Sequence, residues 1–266
     1  MEGARQAANS RWVEVAGRAG LAAKGVVYLI VGLLAVQIPL GLGGEAADRE
    51  GALQALAQER HGKITLIALA VGLAGYALWR LVQAAFDRDG EGDDAKGLAK
   101  RAGQLGKALF YGASSFVAVT IAVGLRRGES NEQRETAEIL GLPAGRWLVA
   151  ILGLAFLGAG LFNAYRSLTG SFRDHLREHQ LGEAARGWVL VVGVVGHAAR
   201  GVVFALIGLF LSKAALEYDA REAIGLDGAL RKLAEQPYGS VLLGTVAAGV
   251  LAYALYCFVQ VRYRDV

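Results

Sequence analysis

The sequence predicts an all-α polytopic membrane protein with six transmembrane helices drawn from three tandem two-helix repeats. Three observations carry that prediction. Six apolar blocks, at residues 20–43, 64–86, 108–125, 147–165, 187–211 and 240–261, each approach the roughly 20 residues a helix needs to cross about 30 Å of hydrocarbon. None of the six contains Asp or Glu. The blocks also repeat as pairs. The whole chain of 266 residues is 54% hydrophobic and 20% charged, with a mean hydropathy of +0.37. Soluble domains run nearer 45–50% and about 25%. This pattern excludes a soluble enzyme, a disordered chain and a secreted disulfide scaffold.

The first block follows a long polar lead, and its apolar run exceeds the 7–15 residues of a signal peptide, so it reads as a retained spanning helix. Its Lys24-Gly25-Val26-Val27-Tyr28, followed by Gly32, returns in the fifth block as Arg200-Gly201-Val202-Val203-Phe204, followed by Gly208, at an offset of 176. Trp12-Val13 and Trp188-Val189 obey the same offset. The third block is a weaker copy, with Lys107 and Tyr111 at Lys24 and Tyr28 plus 83. In the even blocks, Gly62, Gly72, Tyr76, Trp79 and Gln83 match Gly239, Gly249, Tyr253, Tyr256 and Gln260 at an offset of 177. Gly145, Ala155, Ala159, Phe162 and Arg166 take these places in the middle copy.

A fixed offset means one supersecondary unit used several times. Here the unit is a helix, a loop with a short amphipathic helix, and a second helix. The boundaries fall at 1–87 for the first repeat, 88–100 for an acidic cytoplasmic linker, and 101–170 for the divergent second repeat. An amphipathic linker at 171–186 and a third repeat at 187–266 complete the chain. Two crossings per unit give every copy the same orientation, so any symmetry axis lies along the membrane normal. The expected architecture is a pseudo-threefold bundle, with three units in a row as the alternative. The loop helices at residues 51–58, 132–140 and 226–235 fit segments lying on the bilayer, with Asp227 able to cap the last.

Cys257 is the only cysteine, which excludes an intrachain disulfide and a cysteine metal site. Three prolines leave the helices mostly unkinked, and many of the 37 glycines lie within apolar blocks, where small residues allow close helix approach. The net charge of +4 is spread through mixed-sign loops, so no nucleic-acid partner is expected. With the N-terminal side called side A, 17 Lys and Arg fall on side A and 11 on side B. The positive-inside rule then places both termini in the cytoplasm.

The residues also resemble a family. Gly228-Ala229-Leu230, Pro237-Tyr238-Gly239 and Leu251-Ala252-Tyr253-Ala254-Leu255-Tyr256 are similar to the bacterial membrane family called domain of unknown function 1206. So is the run from Arg18-Ala19-Gly20 to Lys24-Gly25-Val26-Val27-Tyr28. The resemblance spans nearly the whole chain and implies three tandem two-helix units in a bacterial inner membrane. The middle copy departs most, with Ala108 at the place of Gly25 and Ala159 at that of Tyr76. The resemblance brings no catalytic residues.

Two stripes are candidate sites. On the odd helices, Lys24, Lys107 and Arg200 sit one turn before Tyr28, Tyr111 and Phe204. Spacing by four keeps each pair on one face, either as cations around an axis or as side chains reaching cytoplasmic headgroups. Arg200 with His197 is the strongest single pairing. The repeat places Arg200 near the entrance of a crossing over residues 198–215, with the lead before it packed on protein. On the even helices, Tyr76, Arg80, Gln83, Tyr253 and Gln260 would line a polar cavity, or the aromatic residues would anchor the interface. His175 and His179 share a helical spacing, yet two ligands make a weak metal motif, and a solvated linker is the simpler reading. No metal, cofactor or enzyme activity is expected. The expected role is a membrane scaffold or accessory protein that binds lipid, other membrane proteins or itself. The alternative is a passive path for an anion or small solute.

Overall fold

The computed structural model describes residues 11–40, 42, 49–87, 92, 94–125, 132–174, 176–177, 180–224 and 226–264. His175 and His179 lie outside them. Six long helices are present: α1 (Arg11–Gln37), α3 (Gly62–Phe86), α4 (Ala95–Ala122), α6 (Gly145–Thr169), α7 (Glu183–Glu217) and α9 (Gly239–Tyr263). Each is long and apolar enough to cross a membrane. Three short helices fill the side-B loops: α2 (Arg49–Gln58), α5 (Glu132–Leu140) and α8 (Leu226–Ala234). The chain is thus an all-α polytopic membrane protein. Asp94, inside the expected acidic linker, caps α4 by accepting from the Gly97 amide at 2.8 Å, so helix begins at Ala95. α8 starts at Leu226, so Asp227 falls within its first turn.

Each repeat turns from its short helix into its second long helix through a glycine. The amides of Gly62, Gly145 and Gly239 donate to the carbonyls of Glu59, Leu142 and Gln236 at 2.8, 2.9 and 2.7 Å. A Cβ on any of the three would run into the carbonyls of Leu56, Ile139 or Ala234. The turn therefore requires glycine, and the sequence offset keeps it. The short helices also depart from expectation: Ala52, Leu53, Leu140, Ala229 and Leu230 are at most 4% exposed. These apolar faces pack on protein rather than on lipid.

The chain divides into two compact units. The first comprises residues 1–26, 53–127 and 257–266. In it, a Cβ on Gly72 would stand 2.7 Å from the Ala23 Cβ, and one on Gly75 would stand 3.1 Å from the Ala16 carbonyl. α3 and α1 thus meet nearly backbone to backbone. α4 is pinned to α3 by hydrogen bonds from Ser115 Oγ to the Ala70 carbonyl and from Arg101 Nε to the Ala84 carbonyl, each 2.8 Å.

The second unit comprises residues 27–52 and 128–256. Gly153 and Gly160 of α6, seven residues apart, face Gly208 and Gly201 of α7 at the same spacing. Seven residues make nearly two turns, so one stripe on each helix is free of side chains. Ala35, Val149, Val203, Ile207, Leu211, Leu230, Leu243 and Ala247 form the core around this contact. Arg146 Nε reaches the Ala215 carbonyl at 2.9 Å, and Tyr218 Oη donates to the Leu140 carbonyl at 2.8 Å. α7 is a single helix of 35 residues. Only one face of its lead packs on protein: Val189 and Val192 are buried and the Phe172 ring fills the space a Cβ on Gly193 would need, whereas Trp188, Leu190 and Val191 are exposed. Trp147, Ile151, Leu154, Leu161 and Leu168 stay exposed along α6, as a lipid-facing stripe requires.

Gly239→Ala should lower unfolding stability in detergent by about 1–3 kcal/mol, the usual range for an overpacked site. Gly158→Ala has nothing within 4 Å of the new methyl and should instead gain up to about 1 kcal/mol of helix propensity. Parallel thermal melts of the two variants measure the contrast.

Candidate functional site

On α3, Tyr76, Trp79, Arg80 and Gln83 follow one another at spacings of three and four, which place them on one face. That face is buried. Tyr76 fits because Gly20 opposes it: a Cβ on Gly20 would lie 2.6 Å from the Tyr76 Cα. One turn along α1, Lys24 brings its Nζ to 5.8 Å from the Tyr76 ring centroid. From α4, Tyr111 meets the same ring edge-on at 4.6 Å.

Arg80 lies over both aromatic rings, 4.9 Å from Tyr76 and 4.3 Å from Trp79. Its Nη1 donates to Gln83 Oε1 and Gln104 Oε1, both at 2.8 Å, and its Nη2 to the Tyr76 hydroxyl at 2.6 Å. Arg264, just past α9, sits 5.1 Å from the Trp79 ring. Lys24, Arg80 and Arg264 are at most 7% exposed, and no Asp or Glu is buried among the described residues. Gln260 is also buried, whereas Lys107 is exposed with its Nζ 3.5 Å from Gln104 Oε1.

A related cluster occupies the second unit. Arg200, half-buried, lies 5.2 Å from the ring of Tyr28, 4.8 Å from that of Phe204 and 4.2 Å from that of Tyr253. Tyr28 and Tyr253 pack edge-on at 4.9 Å. His197 is 1% exposed, with its ring parallel to Phe172 at 5.0 Å and edge-on to Tyr253 and Tyr256 at 5.3 and 5.1 Å. Its Nδ1 lies 2.8 Å from the Gly193 carbonyl, and the Tyr256 hydroxyl donates to the Phe172 carbonyl at 2.6 Å. His197 is thus enclosed by aromatic rings, which suits a packing role better than proton transfer.

The two clusters share a rule. The odd-helix aromatic residue stands edge-on to a ring on an even helix: Tyr111 on Tyr76, Tyr28 on Tyr253, and Phe204 on Phe156 at 5.7 Å. Edge-to-face pairs add about 0.5–1.5 kcal/mol beyond area burial. A cation stacked on such rings gains up to about 2 kcal/mol when desolvated. The sequence pairing points to Ala159 in the middle copy, and Phe156, three residues earlier, supplies the ring instead. Trp79, Tyr76, Tyr253 and Tyr256 are at most 3% exposed, so they are not anchors at a lipid interface. Gln104 and Arg264 join the clusters from inside the repeats, at places where the first copy has Leu21 and Asp87, and Phe172 comes from the link after the second repeat, so none carries a repeat signal.

The profile of the family described as Domain of Unknown Function (DUF1206) matches residues 19–87, 102–170 and 195–264. The chain is 31% identical over 253 residues to the Uncharacterized protein YxxB of Bacillus subtilis (strain 168). That similarity covers 95% of this chain and 92% of the relative. No solved structure matches.

Arg200→Met, Tyr253→Leu and the double variant form a thermodynamic cycle. A coupling of about 0.5–2 kcal/mol is expected from the stacked pair. A near-zero coupling in detergent unfolding would show that the stacking contributes nothing.

Proposed function

This chain belongs to the DUF1206 family, and on that premise we propose that it is a multi-pass membrane accessory protein that binds acidic lipid headgroups on the cytoplasmic side. One observation carries the reading: the buried cations Lys24, Arg80 and Arg264 gather on the rings of Tyr76 and Trp79. A cation near the middle of a helix in hydrocarbon costs roughly 2.5–3.5 kcal/mol on insertion scales. Ring stacking and neutral hydrogen bonds offset part of that cost, and an anion offsets more. Arg80 lies six residues from the end of α3 at Phe86, about 9 Å by the helical rise. That depth is within reach of the side-A leaflet.

The scaffold role of the glycine faces is narrower on this reading, because many of those faces are already consumed within the protein. The alternative of a solute path along an axis draws less support. It needs Lys24, Lys107 and Arg200 in like surroundings, and Lys107 is exposed while Lys24 is buried.

Native mass spectrometry of protein released from mixed-lipid membranes tests the reading. Wild type should retain phosphatidylglycerol over phosphatidylcholine, and Lys24→Gln or Arg264→Gln should weaken that preference about fivefold per charge removed. Equal retention of both lipids by wild type would defeat it. Orientation has its own test in a Cys257→Ala background. A maleimide that does not cross the membrane should label Gly141→Cys in intact cells, and Gly182→Cys only after permeabilisation.

A further inference from the structure

We infer that the indole N–H of Trp79 and the Nε–H of Arg80 form the floor of an oxyanion site that takes a phosphate-class group in the first unit. The inference rests on the headgroup reading and adds the chemistry of the ligand. Trp79 is fully buried and Arg80 is 3% exposed. Trp79 Nε1 and Arg80 Nε are buried donors with no hydrogen-bond partner among the described residues. Such donors are rare, because each forfeits its hydration for nothing. Here two of them belong to side chains stacked 4.3 Å apart.

The other face of the guanidinium is already committed. Three of its five hydrogens go to Gln83, Gln104 and Tyr76, all neutral oxygens. These bonds fix the orientation of the group but leave its charge uncompensated. Water at the Nε–H and the indole N–H would satisfy two donors and no charge. A carboxylate or phosphate satisfies both.

The surroundings favour phosphate. Trp, Lys and Arg offer donors and no acceptors, and Lys24 and Arg264 flank the same two rings. A ligand that must accept from several directions and donate nothing is a tetrahedral oxyanion. The indole sets the selectivity: it contributes a donor without a charge, as a lipid-facing cluster of lysines would not. A lipid phosphodiester and free inorganic phosphate share this chemistry.

The experiment uses full-length protein labelled with 5-fluorotryptophan, in nanodiscs, read by fluorine NMR. Trp79→Phe assigns the Trp79 resonance. In phosphatidylcholine discs, inorganic phosphate shifts that resonance if the source is a free anion. Replacing the lipid with phosphatidylglycerol shifts it if the source is a headgroup. Either shift supports the site, and Arg80→Lys, which keeps the charge but removes Nε, should abolish it. Trp79→Phe, which keeps the packing, should weaken retention of phosphatidylglycerol about tenfold. If neither probe moves the resonance, the site is overturned. Should phosphatidylglycerol still be retained in that case, headgroups bind elsewhere and only the indole–guanidinium site falls. If retention is absent but inorganic phosphate moves the resonance, the headgroup reading falls and the oxyanion site stands on a free anion.

Discussion

A cation and an aromatic ring fit between two membrane helices only where the opposing helix withdraws its own side chain. Gly20 does this for Tyr76, and Gly196 does it for Tyr253, whose Cα would lie 2.7 Å from an added Cβ. Everything else in the clusters depends on that vacancy. It lets the tyrosine stand deep enough to meet a second ring edge-on, and the stacked rings then carry Lys24 and Arg80 in one unit and Arg200 in the other. In hydrocarbon there is no apolar driving force for helix association, so close backbone contact and polar satisfaction must supply the stability.

The two clusters descend from one pattern and have moved apart. The offset that equates Tyr76 with Tyr253 equates Arg80 with Cys257. Where the first repeat buries a guanidinium, the third buries a thiol. The second unit has instead placed His197 in a box of Phe172, Tyr253 and Tyr256. One copy thus keeps a charged interior and the other seals it with rings. Divergence between copies is how a repeated scaffold comes to carry a single site.

Hydropathy made the six helices and their pairing legible, because the membrane forces long apolar runs and the duplication leaves glycine at the same turn three times. The buried stripe on α3 was legible from its spacing, as was Arg200 beside Phe204, whereas the Tyr76 ring beside Lys24 comes from another helix and not from the spacing by four. Arg264, Gln104 and Phe172 were not. They lie outside the apolar blocks, at positions the copies do not share or in a link between repeats, and only the folded path brings them near Trp79, Arg80 and Gly193. Phe156 was hidden for a different reason. A ring moved by three residues stays on its helix face, yet it breaks the register that sequence comparison follows. The short side-B helices were placed correctly along the chain but assigned to lipid, since an amphipathic pattern does not say which apolar surface it will meet.

The length of α7 has a consequence of its own. Its 35 residues extend about 52 Å, against roughly 30 Å of hydrocarbon. Even a tilt of about 40°, the upper end of the usual range, leaves a projected height near 40 Å. Some two turns therefore stand clear of the acyl chains across the usual range of tilt. Phe172 and Ser167 hold this rod at Gly193 and the Val194 carbonyl, inside its first third, so any surplus before that point projects from a braced position. A change in bilayer thickness would then be felt as leverage on the segment joining the second and third repeats.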